Sequence, residues 1–129
     1  MTGPVRNATT QSTRATFAGV LALFGLQWLW HGALFPPAGN AWYWLALVFS
    51  LPLAWLALAL WLRRRSARFW SGVFALLYFC HGVTEAWTVE APRNLGLAEA
   101  ALSVAVILAA NWPGLAARFK RRDGAPPNV

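Results

Sequence analysis

Between Ala15 and Leu34 the chain runs 20 residues without a formal charge, counting His31 as neutral, and three further apolar runs follow it. At about 1.5 Å per helical residue such a run is about 30 Å long, the thickness of a bilayer core. No soluble fold readily buries four such runs in a chain of 129 residues. Hydrophobic residues make up 58% of the chain and charged residues 12%, roughly half the charge of an ordinary soluble domain. The apolar runs are therefore the fold. The expected class is all-α, an integral membrane four-helix bundle.

The predicted spans are 15–34, 41–62, 69–88 and 97–112. They lie within a single domain, 15–118, between a disordered tail at 1–14 and a basic, polar tail at 119–129. Pro36, Pro37 and Gly39 end the first helix, and Pro92 lies in the turn between the third and fourth. Pro52 falls inside the second span. It predicts a kink and a freed carbonyl one turn earlier, with Ser50 placed to help satisfy it. A cleaved leader fits poorly, because the first run is too long and aromatic and no small-x-small site follows it.

The cations fix an orientation. Arg6, Arg14, Arg63, Arg64, Arg65, Arg68, Arg118, Lys120, Arg121 and Arg122 all fall on one side of a four-span chain, and Arg93 alone falls on the other. By the positive-inside rule both termini are cytoplasmic. Clusters at span ends suit anionic headgroups, with Arg63, Arg64, Arg65, Arg68, Lys120, Arg121 and Arg122 as the contacts. A nucleic-acid surface would not alternate with apolar runs in this way, so nucleic acid is not an expected partner. Trp28, Trp30, Trp42, Tyr43, Trp44 and Trp87 gather near the outer span ends and Trp61, Trp70 and Trp112 near the inner ones, as in interfacial belts.

Polar residues inside the runs are costly in lipid and need a reason. His81 and Glu85 are four apart in the third run and share a helix face, with Tyr78 and Thr88 extending the stripe. Gln27 and His31 are four apart in the first run, as are Glu99 and Ser103 in the fourth. Three helices can thus direct polar groups toward one place in the outer half of the bilayer. Each residue also has a plainer explanation. Glu99 sits where a first-turn carboxylate reaches water and favours the helix dipole, Gln27 and Ser103 suit interhelical hydrogen bonding, and His81 with Glu85 forms an ordinary intrahelical pair. The pairs His31-Gly32 and His81-Gly82, 50 residues apart, form a faint echo that predicts two helical hairpins in parallel repeat.

The segment Leu77–Trp87, the His31…Pro36-Pro37 arrangement and the arginine-rich middle loop together resemble a family of small proteobacterial inner-membrane proteins, described as predicted membrane proteins of unknown function. The likeness covers about Ala15–Leu108, and its most specific part is His81-Gly82-x-x-Glu85-Ala86-Trp87. The resemblance implies a bacterial inner-membrane location. It implies no activity, cofactor or catalytic residue.

Three functional classes follow. The first is a structural, accessory or regulatory component of a larger membrane complex or homo-oligomer. The second is a proton, metal-ion or small-molecule site facing the periplasm, built on His31, His81, Glu85 and Glu99 with Tyr78 and Gln27 nearby. Two histidines and two carboxylates suit Zn, Fe or Mn, or a proton relay. A transporter of this size would need a homodimer. The third is redox, with His31 and His81 as axial ligands of a b-type haem or with a quinone against Trp28, Trp30 or Tyr78. A single cysteine, Cys80, excludes an internal disulfide and thiol-pair chemistry. No Gly-x-Ser-x-Gly, phosphate-loop or His-Glu-x-x-His pattern supports a hydrolase.

Overall fold

The structure is a computed structural model that describes residues 3–39 and 42–124. Among the described residues it is helical, with no strand. Four helices follow in order: α1 (Pro4–Trp28), continued by a π-helical segment Leu29–Leu34, then α2 (Trp42–Trp61), α3 (Ala67–Thr88) and α4 (Arg93–Asp123). Proline opens α1 at its first turn, where a missing N–H costs nothing. The π segment closes with the Phe35 N–H donating to the Trp30 carbonyl at 2.9 Å, and Pro36-Pro37 prevents further helix.

Two ends differ from the sequence expectation. Helix α1 begins at Pro4, so most of the segment expected as a disordered tail is helical. Neighbouring α4 explains this: Ser12 is buried and its hydroxyl donates to the Ala109 carbonyl at 2.5 Å, and Thr16 is buried one turn on. Helix α4 starts earlier than Leu97 and runs through Pro113 to Asp123, taking in the start of the expected C-terminal tail. Met1, Thr2 and residues 125–129 of the expected tails, Asn40 of the expected first turn and Ala41 at the start of the expected second span lie outside the described residues.

Three segments are long and apolar enough to cross a membrane: Arg6–Leu34, Tyr43–Trp61 and Arg93–Arg122. Helix α3 has 22 residues, long enough to cross, but Tyr78, His81 and Glu85 lower its hydropathy.

The most extensive contact is between α3 and α4, followed by α1 with α4 and α1 with α2. Val20, Leu23, Leu53, Leu56, Tyr78 and Val106 form the centre of the core. Toward the link between α3 and α4, the two backbones meet at glycines. A Cβ on Gly82 would lie 2.6 Å from the Gly96 carbonyl oxygen, and one on Gly96 would lie 2.6 Å from the Gly82 oxygen. Ala86 and Ala100, one turn along each helix, complete a small-residue seam on both sides. Elsewhere the helix faces left outward are apolar: Leu51, Trp55, Leu58, Leu76, Leu77 and Leu108 are all exposed, as expected of surface that meets lipid.

Most of the expected belt residues are exposed, including Trp44, Trp61, Trp87 and Trp112. Trp28 is half-buried, and Trp30 departs furthest among the described residues. It is buried, because the π segment turns its ring inward onto two histidines.

Candidate functional site at a buried glutamate

The seam between α3 and α4 builds the site. Gly82 has no side chain, so α4 approaches closely enough that the Glu99 Cβ would lie 3.1 Å from a Cβ at Gly82. Glu99 thereby enters the protein interior beside His81. Its exposure is 0%, and both carboxylate oxygens are engaged. Gln27 Nε2, from α1, donates to Glu99 Oε1 at 2.6 Å. His81 Nδ1, from α3, lies 2.8 Å from Glu99 Oε2. One carboxyl group therefore joins three helices. A carboxylate with no water around it is tolerable only when charge-assisted donors replace hydration, and these two groups do so.

This arrangement corrects two expectations. His81 pairs with Glu99 rather than with Glu85, which is half-buried a turn further along α3. Spacing of four places two residues on one face, but the buried carboxylate across the seam offers the stronger partner. Glu99 is also not a first-turn residue reaching water, since α4 begins at Arg93 and the first turn holds no acid.

Aromatic rings wall the site. His31 lies in the π segment, buried, stacked between Trp30 at 5.4 Å and Phe49 at 5.4 Å. His81 contacts the same two rings, Trp30 at 5.6 Å and Phe49 at 4.7 Å. The two imidazoles thus share their neighbours. His31 Nε2, Gln27 Oε1 and Trp28 Nε1 are buried with no hydrogen-bond partner among the described residues. The His81 side chain keeps 24% of its surface exposed and is the open edge of the cluster.

Tyr78 lies deeper. Pro52 lacks an N–H, so the Val48 carbonyl loses its helical donor. The Tyr78 hydroxyl donates to the adjacent carbonyl, that of Phe49, and so ties α3 to the stretch of α2 just before Pro52. Ser50 does not take the role expected of it, because its hydroxyl is buried without a partner among the described residues. Ser103 is likewise unpartnered, so it is not the interhelical bond expected.

Three ligands fit poorly. Among the described residues no three of His, Cys, Asp or Glu come together as a metal-binding group. A haem needs an open slot between its axial histidines, and here Phe49 packs against both His31 and His81. A quinone would find Trp30 and Tyr78 already buried in protein contacts.

Sequence reasoning singled out Gln27, His31, His81 and Glu99, but not Trp30 and Phe49 as walls, nor Gly96. The small residues at Gly82, Ala86, Gly96 and Ala100, spaced by four on two consecutive runs, were the available signal for the seam.

No curated protein and no solved structure shows significant similarity to the chain. A family of predicted membrane proteins, DUF2069, matches over residues 15–119, which takes in every residue of the site and most of all four helices, and the chain belongs to that family.

Proposed function

We propose that the protein is a four-span inner-membrane protein with both termini in the cytoplasm, and that it takes up and releases a proton at the His81–Glu99 pair in the outer half of the bilayer. Support for the fourth span comes from internal satisfaction. Tyr78 and His81, which lower the hydropathy of α3, spend their polar atoms on Phe49 and Glu99 rather than on lipid. Support for the orientation comes from the cations, ten of eleven of which lie on one side of such a topology.

The observation that carries the functional reading is the asymmetry of the pair. Glu99 is wholly enclosed and bound on both oxygens, while the imidazole it holds is partly open. With Nδ1 turned to the carboxylate, Nε2 is the ring atom left to exchange a proton. A proton can move from imidazolium to carboxylate without changing the charge of the pair. Gaining or losing one proton from outside changes that charge by one. The His31 imidazole, buried against the same aromatic rings, is a second proton acceptor beside the first. That both His-Gly pairs bring an imidazole to Phe49 also supports the reading of two related hairpins.

Infrared difference spectroscopy of the full chain in lipid, with pH stepped from about 5 to about 8, tests this. The expected result is an imidazole ring band that titrates in the wild type, is lost in His81→Gln and shifts in Glu99→Gln. Identical spectra for wild type and Glu99→Gln would overturn it. A second reading is favoured by the same bonds: Gln27, Glu99 and His81 tie three helices and serve packing alone, within an accessory component of a larger assembly. That reading is supported if no band titrates while both variants lower thermal stability.

A further inference from the structure

At the opposite end of the molecule from Glu99 lies a cavity of about 570 Å³, between the first turns of α1, the end of α2 and the start of α3. Five arginines line it: Arg14 from α1, Arg63, Arg64 and Arg65 from the α2–α3 loop, and Arg68 from α3. No salt bridge among the described residues involves any of them, and the chain's four acidic residues lie elsewhere in the sequence. The rest of the wall includes Phe17, Leu60 and Trp61, with Trp61 strongly exposed on its outer side. The cavity's lining therefore combines five cations with an apolar patch.

The backbone holds these cations in place. Arg64 N–H donates to the Ala59 carbonyl and Arg63 N–H to the Leu60 carbonyl, both at 3.0 Å, which is the double bond that closes a helix in the Schellman manner. The residue at the left-handed position of that closure is Arg63, with φ of 54°, where glycine is the unstrained choice. Strain accepted at one side chain is a sign that the side chain is used. Arg68 reaches across to the Ser12 hydroxyl at 3.5 Å, and Ser12 in turn is bound to α4. The cavity is thus braced by three helices.

We infer that this cavity binds the headgroup of an anionic lipid that carries two phosphate charges. Guanidinium forks match phosphate oxygens two at a time, and five uncompensated guanidinium groups exceed what a single phosphodiester would neutralise. The apolar patch of Phe17, Leu60 and Trp61 receives the acyl side of the molecule. A free diphosphate shares the headgroup's chemistry but has no use for that patch.

Native mass spectrometry of the full chain in detergent, with added cardiolipin, phosphatidylglycerol or phosphatidylcholine, tests the inference. Wild type should retain cardiolipin in preference to the other two. Arg63→Gly is the informative variant, because glycine suits the backbone there; it should fold at least as well as wild type and hold cardiolipin about three- to tenfold more weakly. Combined Arg14→Gln and Arg65→Gln should weaken it further. Arg118→Gln, which removes one charge from the C-terminal part of α4 outside the cavity's lining, should leave retention unchanged. Equal loss in the α4 variant, full retention in Arg63→Gly, or no preference for cardiolipin would overturn the inference. So would inorganic pyrophosphate binding in its place, since that would make a soluble phosphate compound the ligand.

Discussion

Substituting Gly82 by alanine puts one methyl group where α3 and α4 touch. The new Cβ would stand 2.6 Å from the Gly96 carbonyl oxygen, 2.9 Å from the Ala100 nitrogen and 3.1 Å from the Glu99 Cβ. Two of those neighbours are backbone and cannot swing away, so the helices must part by about 0.8 Å to restore ordinary contact. A movement of that size would stretch the His81–Glu99 distance from 2.8 Å to about 3.6 Å, beyond a hydrogen bond. The overpacking costs about 1–3 kcal/mol. Losing one partner of a buried carboxyl group adds about 1–3 kcal/mol. Gly82→Ala is thus expected to be destabilising by about 2–6 kcal/mol, followed by thermal unfolding in detergent through the fluorescence of the nine tryptophans. Gly96→Ala should cost a similar amount. The double variant should cost less than the sum, because the helices separate only once. Gly25→Ala and Gly114→Ala are the controls; a Cβ meets nothing within 4 Å at either site, and neither should lower stability. A Gly82→Ala protein with unchanged melting and an unchanged His81–Glu99 bond would refute the close seam.

Tyr78→Phe removes the hydroxyl bound to the Phe49 carbonyl and should lower stability by about 0.5–1.5 kcal/mol in the same unfolding assay, without changing secondary structure by circular dichroism. Cys80, the only thiol, is exposed in the interior of α3. If α3 lies in lipid as proposed, a charged maleimide should label Cys80 slowly in intact membranes and a lipophilic one quickly. Rapid labelling by the charged reagent would count against that crossing.

Much of this architecture is legible in the sequence, because lipid leaves a chain few choices. Apolar runs broken by Pro36-Pro37 and Pro92 mark helices whatever their partners. Intramembrane polar residues are rare, so Gln27, His81 and Glu99 stand out before any coordinates. Their pairing is not legible. The i, i+4 rule finds neighbours along one helix, whereas Glu99 is bound from two other helices. The helical turns between Pro4 and Arg14 escape notice for a related reason: they are rich in threonine and arginine, and only the docking of Ser12 and Thr16 against their surroundings gives them an inner face. The π segment at Leu29–Leu34 has no compositional mark at all. Nor does Arg63 announce that it stands at a glycine position, since that depends on where α2 stops.

The brevity of the link between α3 and α4 has a consequence for biogenesis. Only Val89–Pro92 separate the two helices, and the glycine seam lies just inside that bend. His81 and Glu99 can therefore meet as soon as the hairpin emerges from the ribosome, before either is committed to hydrocarbon. In the proposed four-span topology, an acid that would resist insertion on a lone segment would enter with its imidazole companion already in place. Gln27 precedes both in the chain, so docking of this hairpin on α1 would complete the polar junction.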